Sequence, residues 1–180
     1  MGLIINDRLR NYAFIDAQNL FLGVKVQGWK LDYAKFRQYL SDKYNVERAY
    51  LFIGYLPENA DIYAELQAQG YILIFKEALK VRNKIIKGNV DAELVLEAMI
   101  QYDNYSQAII VSGDGDFACL IKHLYKKDKL GKVLVPNQAS YSVLIKKTAK
   151  EKIDSITSLK NKLQKKKGGT DKDKTFHRTT

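Results

Sequence analysis

Short apolar runs alternate with amphipathic runs along most of the chain. The apolar runs have the length of strands, and we predict strands at 12–16, 46–56, 71–79, 107–113 and 131–137. The amphipathic runs between them predict helices at 31–44, 58–70, 90–102 and 116–129. Strands that are apolar on both faces and alternate with helices are typical of β-α-β units around a parallel sheet. We therefore predict an α/β fold with a mostly parallel sheet.

The length and composition fit one domain. With 180 residues, 46% of them hydrophobic, the chain can bury one sizeable core and has little room for a second domain. A single cysteine, Cys119, excludes an internal disulfide and a cysteine-rich zinc site. The N-terminus lacks the pattern of a secretory signal, and no apolar run approaches the ~20 residues that span a bilayer. We expect a cytoplasmic protein that does not enter membranes.

Positive charge is concentrated at the C-terminus. Of the net charge of +10, residues 160–180 contribute +6, from eight Lys or Arg and two Asp. This lysine-rich segment has too few apolar residues to offset the entropy cost of ordering. We predict a domain at 1–159 and a mobile basic tail at 160–180, which either attracts a polyanion or only adds solubility.

Carboxylates follow two of the predicted strands. Asp16 ends the first strand, with Asn19 close behind it, and the fourth strand runs into the turn "SGDGDF" at 112–117. That turn and the start of a predicted helix supply the other candidate site residues, which are Ser112, Asp114, Asp116 and Asp91. Open α/β sheets bind ligands beyond the carboxyl ends of their strands. If the first and fourth strands are neighbours, these side chains converge.

The turn "SGDGDF" fits two opposite chemistries. Gly113, Gly115 and Ala118 have the spacing of a dinucleotide-binding turn, but such a turn should follow the first strand, and two aspartates would repel a pyrophosphate. Oxygen ligands without a His or Cys set instead favour a hard cation, Mg²⁺ or Mn²⁺. The two glycines would then let the backbone turn tightly enough to present both aspartates. A single aspartate here would more simply cap a helix, and Asp91 would be an ordinary partner of a helix dipole.

Three blocks of the sequence carry a resemblance to a known family. They are "FIDAQNL" at 14–20, "KGNVDAELVLEAM" at 87–99 and "SGDGDF" at 112–117, of which the last is the most specific. The chain resembles the NYN domains of the PIN-like nuclease superfamily, in particular the bacterial LabA-like group. The resemblance extends from Asn11 to Leu159, because "LGKVLVP" and "SYSVLIKKTAKEKI" resemble the last strand and the closing helix of the family.

The resemblance implies both a fold and an activity. The implied fold is a single PIN-like, Rossmann-like domain with a sheet of five to six strands flanked by helices. The implied activity is that of a metal-dependent ribonuclease, in which one or two hard cations activate a hydroxide. The catalytic metal ligands that it implies are Asp16, Asp91, Asp114 and Asp116. Asn19 and Ser112 would orient waters or phosphate oxygens, and Glu93 or Glu97 could replace a further acid of the family.

A basic segment leads into Asp91. Residues 76–88 contain one acid and five basic residues, Lys76, Lys80, Arg82, Lys84 and Lys87. We predict that Arg82, Lys84 and Lys87 contact the backbone of an RNA substrate, single-stranded in the first instance. The alternative is a solvated loop.

Other functional classes fit the sequence less well. A receiver domain needs paired acids after the first strand, and an aspartyl phosphohydrolase needs D-x-D there, where Gln18 stands. The remaining alternative is an RNA-binding or regulatory scaffold that keeps the acidic metal site with little or no catalysis. A homodimer is compatible with the sequence.

Overall fold

The computed structural model, which describes residues 10–77, 79–81, 84–86 and 90–166, contains a six-stranded parallel sheet. The strands in the described residues are β1 Asn11–Asp16, β2 Val46–Tyr55, β3 Tyr71–Glu77, β4 Leu79–Val81, β5 Lys84–Ile86, β6 Ala108–Val111, β7 Leu130–Val135 and β8 Ile153–Ser155. The sheet has the order β3-β2-β1-β6-β7-β8, and each neighbouring pair is parallel. β4 and β5 form a separate antiparallel pair. The predicted α/β class, with a mostly parallel sheet of five to six strands, is confirmed.

Helices connect the strands of the sheet. Those in the described residues are α1 Ala17–Lys25, α2 Tyr33–Tyr44, α3 Ala60–Ala68, α4 Asp91–Ile100, α5 Ala118–Lys126, α6 Val143–Ala149 and α7 Lys160–Leu163. α2, α3, α4 and α5 correspond to the four helices that the amphipathic pattern predicts. The pattern does not predict α1, because this helix follows β1 without a loop and buries only a narrow face. Over the described residues, no helix is long and apolar enough to cross a membrane.

Both faces of the sheet are covered. In β1, Ala13 and Ile15 belong to the core on the side of α1 and α2, whereas Tyr12 and Phe14 belong to the core on the side of α4 and α5. The Phe14 ring stacks on Tyr50 of β2 with 5.5 Å between ring centroids. Because successive side chains of a strand point to opposite faces, burial on both faces explains the unbroken apolar runs in the sequence.

The sheet brings together the ends of the two strands that carry aspartates. β1 lies at the middle of the sheet, with β2 on one side and β6 on the other. In the parallel β1–β6 pair, Ile15 stands opposite Val111, one residue before Asp16 and Ser112 respectively. The condition for convergence at the carboxyl edge is therefore met.

The first residues of the predicted tail pack against the domain. Leu163 is only 1% exposed. The Asp32 amide donates to the Leu163 carbonyl at 2.8 Å, and the Lys165 amide donates to the Lys30 carbonyl at 2.9 Å. The packed chain therefore continues past residue 159. The prediction for residues 167–180 falls outside the described residues.

Candidate metal centre

Three carboxylates converge at the carboxyl edge of the sheet. Asp91 is the first residue of α4, Asp114 follows β6, and Asp116 lies in the short 3-10 helix Gly115–Phe117. One oxygen from each carboxylate lies within 4.8 Å of the others. Asp91 and Asp114 are partly buried and Asp116 is exposed, so the group opens to solvent. We refer to these three residues as the acidic cluster.

The donor set of the acidic cluster suits a hard cation. Its three ligand atoms are carboxylate oxygens, which Mg²⁺ and Mn²⁺ prefer. Three like charges so close together repel one another, and a bound cation relieves this repulsion. The cluster could therefore hold a metal ion.

Asp16 lies beside the acidic cluster in a more buried position. Its side chain is the last of β1 and is 5% exposed. Burial raises the pKa of Asp16 to about 6, a hydrogen bond from the Asn19 amide opposes this rise, and the charges of Asp91 and Asp114 add to it. The group of three carboxylates does not itself include Asp16. The structure thus brings all four predicted aspartates to one place, with Asp16 behind the other three.

Two of the aspartates also cap helices. Asp16 Oδ1 accepts a hydrogen bond of 3.0 Å from the Asn19 amide at the start of α1. Asp114 Oδ1 accepts one of 3.0 Å from the Asp116 amide. The capping role that we weighed as an alternative is therefore present. Each cap uses a single carboxylate oxygen, so capping and metal binding are compatible.

Ser112 and Asn19 tie the site together by hydrogen bonds. The Ser112 hydroxyl donates to Asp16 Oδ2 at 3.4 Å and accepts from the Asp114 amide at 3.1 Å. Asn19 Oδ1 accepts from the Gly113 amide at 2.8 Å. Ser112 is fully buried. Its hydroxyl therefore holds Asp16 and the turn in place through hydrogen bonds within the protein. The predicted contact with waters or phosphate oxygens stays a prediction.

The glycines of the turn are needed for close packing rather than for an unusual backbone. Neither Gly113 nor Gly115 is among the residues with positive φ. A Cβ at Gly113 would lie 3.1 Å from Tyr141 Cβ, and a Cβ at Gly115 would lie 2.5 Å from Ser142 Oγ. The expectation that these glycines serve a tight turn is thus corrected: they let the segment before α6 lie against the turn.

Glu93 and Glu97, the candidates for a further acid, have other partners. Glu93 forms an ion pair of 3.0 Å with Lys76 of β3, and Glu97 accepts a hydrogen bond of 2.9 Å from Gln101. Neither belongs to the group of carboxylates. The other basic residues of the predicted phosphate-binding segment, Lys80, Arg82, Lys84 and Lys87, have side chains outside the described part of the structure.

Sequence reasoning did not identify Tyr141 and Ser142 as neighbours of the site. The Ser142 amide donates to the Gly113 carbonyl at 2.9 Å. The signal that could have found them is topological, because the loop after β7 emerges at the same sheet edge as the turn after β6.

Comparison with known proteins agrees with this fold. The NYN domain family profile matches residues 11–156. The chain therefore belongs to the NYN domain family and contains a nuclease-type domain of the PIN-like superfamily. The resemblance to NYN and LabA-like proteins is confirmed.

Two individual proteins illustrate the relationship. The chain is 26% identical over 124 residues to the low amplitude and bright protein LabA of Synechococcus elongatus. The matched segment covers 63% of this chain and 67% of that protein. Its fold is similar to that of a protein of unknown function from Vibrio parahaemolyticus, with a TM-score of 0.70 and 22% identity. That likeness covers 88% of this chain and 98% of the other and concerns the fold alone.

Proposed function

We propose that this protein is a metal-dependent ribonuclease that cleaves phosphodiester bonds of single-stranded RNA at the acidic cluster. The observation that carries this proposal is the convergence of three carboxylate oxygens within 4.8 Å at the carboxyl edge of a nuclease-type domain. The opening of the cluster to solvent at Asp116 leaves room for a polymer to approach. The family, whose domains are typically nucleases, supports a nucleic-acid substrate, and single-stranded RNA is the choice that this proposal makes.

Asp91, Asp114 and Asp116 would hold Mg²⁺ or Mn²⁺, with Asp16 as the fourth carboxylate. When bound, such an ion lowers the pKa of a coordinated water and offsets negative charge on a phosphate. The chain itself fixes where this happens. Asp16 is held by Asn19 and Ser112, and Asp114 is held by its own cap to Asp116. Residues held in this way need little rearrangement to bind their ligands.

Asn19 and Ser112 act in this proposal as positioning residues. Asn19 joins α1 to the turn through Gly113, and Ser112 joins β1 to the turn through Asp16 and Asp114. In this proposal the Asn19 side-chain nitrogen donates to a water or to a phosphate oxygen. Arg82, Lys84 and Lys87 keep their predicted role in binding phosphates, and the cytoplasmic location and the homodimer stay predictions.

The scaffold alternative has one observation in its favour. Glu93 forms an ion pair with Lys76, and Asp16 is set back from the three carboxylates of the acidic cluster. A site with fewer free ligands would bind the cation more weakly. An RNA-binding protein could keep the acidic edge and cleave slowly or not at all.

An assay with and without chelator tests the proposal. Purified protein is incubated with a labelled single-stranded RNA in Mn²⁺, in Mg²⁺ and in excess chelator, and cleavage, RNA affinity and melting temperature are recorded under each condition. We expect cleavage and a higher melting temperature with metal, because an ion that binds only the folded state stabilises it. RNA binding without metal-dependent cleavage would favour the scaffold.

A further inference from the structure

A polar groove runs beside the acidic cluster, between α6 and the ends of β7 and β8. It has a volume of about 380 Å³. Lys146 and Lys150 of the α6 segment form one side, and Ser155 and Ser158 lie on the other. Tyr141 and Gln138 line the end formed by the loop after β7. We refer to this feature as the α6 groove.

One end of the α6 groove contacts the turn "SGDGDF" at 112–117. Tyr141 packs so closely against Gly113 that a Cβ at Gly113 would be 3.1 Å from Tyr141 Cβ. The next residue, Ser142, donates its amide to the Gly113 carbonyl at 2.9 Å and caps α6. Gly113 directly precedes Asp114. A strand that leaves the acidic cluster on this side therefore meets Tyr141 first.

The charge of the α6 groove is positive. Lys146 and Lys150 are four residues apart and both are exposed. Lys150 Nζ lies 4.8 Å from the centre of the Tyr125 ring and interacts with the charge of Glu151, and neither of these two residues lines the groove. Asp154 is the one carboxylate among the described residues that line the groove, and it is already engaged by Tyr44 at 2.7 Å and Lys43 at 3.2 Å. The lysines therefore set the sign of the local field.

Hydrogen-bond donors accompany the lysines. The Ser155 hydroxyl accepts from the Thr157 amide at 3.1 Å, which leaves its own hydrogen available to donate. The Gln138 side chain is exposed and carries two N–H donors. Lysines, hydroxyls and amides bind the phosphates of a single strand. An aromatic ring beside them can stack on one of its bases.

Lys150 lies directly beyond the end of α6. Lys150 has φ 52° and ψ −120°, a conformation in which glycine would be less strained. Lysines in the last turn of a helix also interact favourably with its dipole. Lys150, one residue beyond α6, extends the basic side of the groove that Lys146 begins.

We propose that the α6 groove binds the phosphodiester backbone of single-stranded RNA on one side of the cleavage site, with a base stacked on Tyr141. The proposal rests on the proposed function, because it takes the acidic cluster as the place where the strand is cut. It makes the substrate a polymer that extends over several nucleotides, since a strand must pass from Asp114 to Lys150.

Binding measurements in chelator test the α6 groove separately from cleavage. The affinity of the full chain for a labelled single-stranded RNA is measured over a range of salt concentrations. The test variant is Lys146→Gln with Lys150→Gln, and the control is Lys126→Gln with Lys127→Gln, which removes the same charge from two exposed residues that do not line the groove. Because each phosphate contact contributes about 0.7 to the slope of log affinity against log salt, we expect the slope of the test variant to flatten by about 1.4. The control should keep the wild-type slope.

The role of Tyr141 is tested by ring removal. Tyr141→Leu should weaken RNA binding about fivefold or more, because a stacked base is lost. Tyr141→Phe keeps the ring and should restore the affinity. Lys146→Gln alone, which changes a residue within regular helix, repeats the charge test if the double variant melts below the wild type.

The outcomes separate this proposal from the proposed function. Equal slopes and affinities for the test and control lysine variants would overturn the α6 groove, even if the wild type cleaves RNA. The flattened slope together with an inactive wild type would support the groove and overturn the ribonuclease. A wild type that binds no single-stranded RNA would overturn the groove, and a loss with Tyr141→Phe equal to that with Tyr141→Leu would overturn the stacking.

Discussion

Gly115, in the turn before α5, shows how the absence of one side chain shapes the site. Gly115 leaves room for Ser142, whose hydroxyl accepts a hydrogen bond of 3.2 Å from the Leu144 amide and so caps α6. The acidic cluster and the start of α6 are therefore packed as one unit. A side chain at residue 115 would separate them.

We expect Gly115→Ala to destabilise the protein by about 1 kcal/mol, the usual cost of a lost helix cap, because its Cβ would displace Ser142 Oγ. The control is Gly54→Ala in β2, where no heavy atom lies within 4 Å of an added Cβ. This control should be neutral or slightly stabilising, because alanine restricts the unfolded chain. Urea denaturation of both variants measures the difference, and equal stabilities would contradict the packing argument.

Asp154 links β8 to α2 through hydrogen bonds to its charged form. Burial alone would raise the pKa of this carboxyl, but hydrogen bonds from Tyr44 and Lys43 and the charge of Lys132 outweigh it and lower the pKa. A carboxyl whose pKa is lower in the folded state stabilises the fold above its unfolded pKa, near 3.9, and loses that effect as the pH falls through the folded pKa.

We expect Asp154→Asn to cost about 1 kcal/mol at pH 7, a modest value because the side chain is 35% exposed. The difference from wild type should shrink as the pH falls below about 4, because the unfolded chain binds a proton there first, and it should vanish below the lowered pKa of the folded carboxyl. Denaturation at pH 7 and near pH 3 measures it, with Asp103→Asn at an exposed site as the control. A difference that is the same at both pH values would show that the charge of Asp154 does not contribute.

At the scale of elements, the sequence pattern predicts the sheet well and its borders poorly. The central strands are identifiable because both faces are buried, as the alternation of Phe14 and Ile15 between the two cores shows. β8 has three residues, too few for a periodic signal. α7 is equally short, and lysines surround its one buried residue, Leu163. Such elements depend on tertiary contacts, which a local pattern does not contain.

α7 allows the predicted domain boundary to be tested. Deleting residues 160–180 removes the buried Leu163 and the hydrogen bonds to Lys30 and Asp32, whereas deleting 167–180 keeps every described contact. We expect the longer deletion to lower the stability by about 2 kcal/mol or more, the usual cost of losing a buried leucine. The shorter deletion should melt like the wild type. Equal melting of the two deletions would mean that α7 adds nothing to the fold.

At the scale of the whole molecule, the sequence predicts the place of the site better than its inner arrangement. Asp16 and Asp114 could be assigned to one edge because they end strands of a parallel sheet. The setting of Asp16 behind the other three carboxylates depends on the hydrogen bonds of Ser112 and Asn19, which require the register of β1 against β6. The contact between Gly113 and Tyr141 likewise arises only when β7 takes its place beside β6.

The central claim is that the acidic cluster holds the metal that cleaves RNA. Its most direct test is single-turnover cleavage of single-stranded RNA in Mn²⁺ by the wild type, Asp114→Asn and the control Asp103→Asn, with RNA affinity and melting temperature recorded for each. Asparagine keeps the shape of the side chain and the cap to Asp116 but removes the charge that retains the cation. We expect Asp114→Asn to cleave at least ~100-fold more slowly than the wild type and the control, while RNA affinity and melting in chelator are retained. Cleavage by Asp114→Asn at the wild-type rate would contradict the claim.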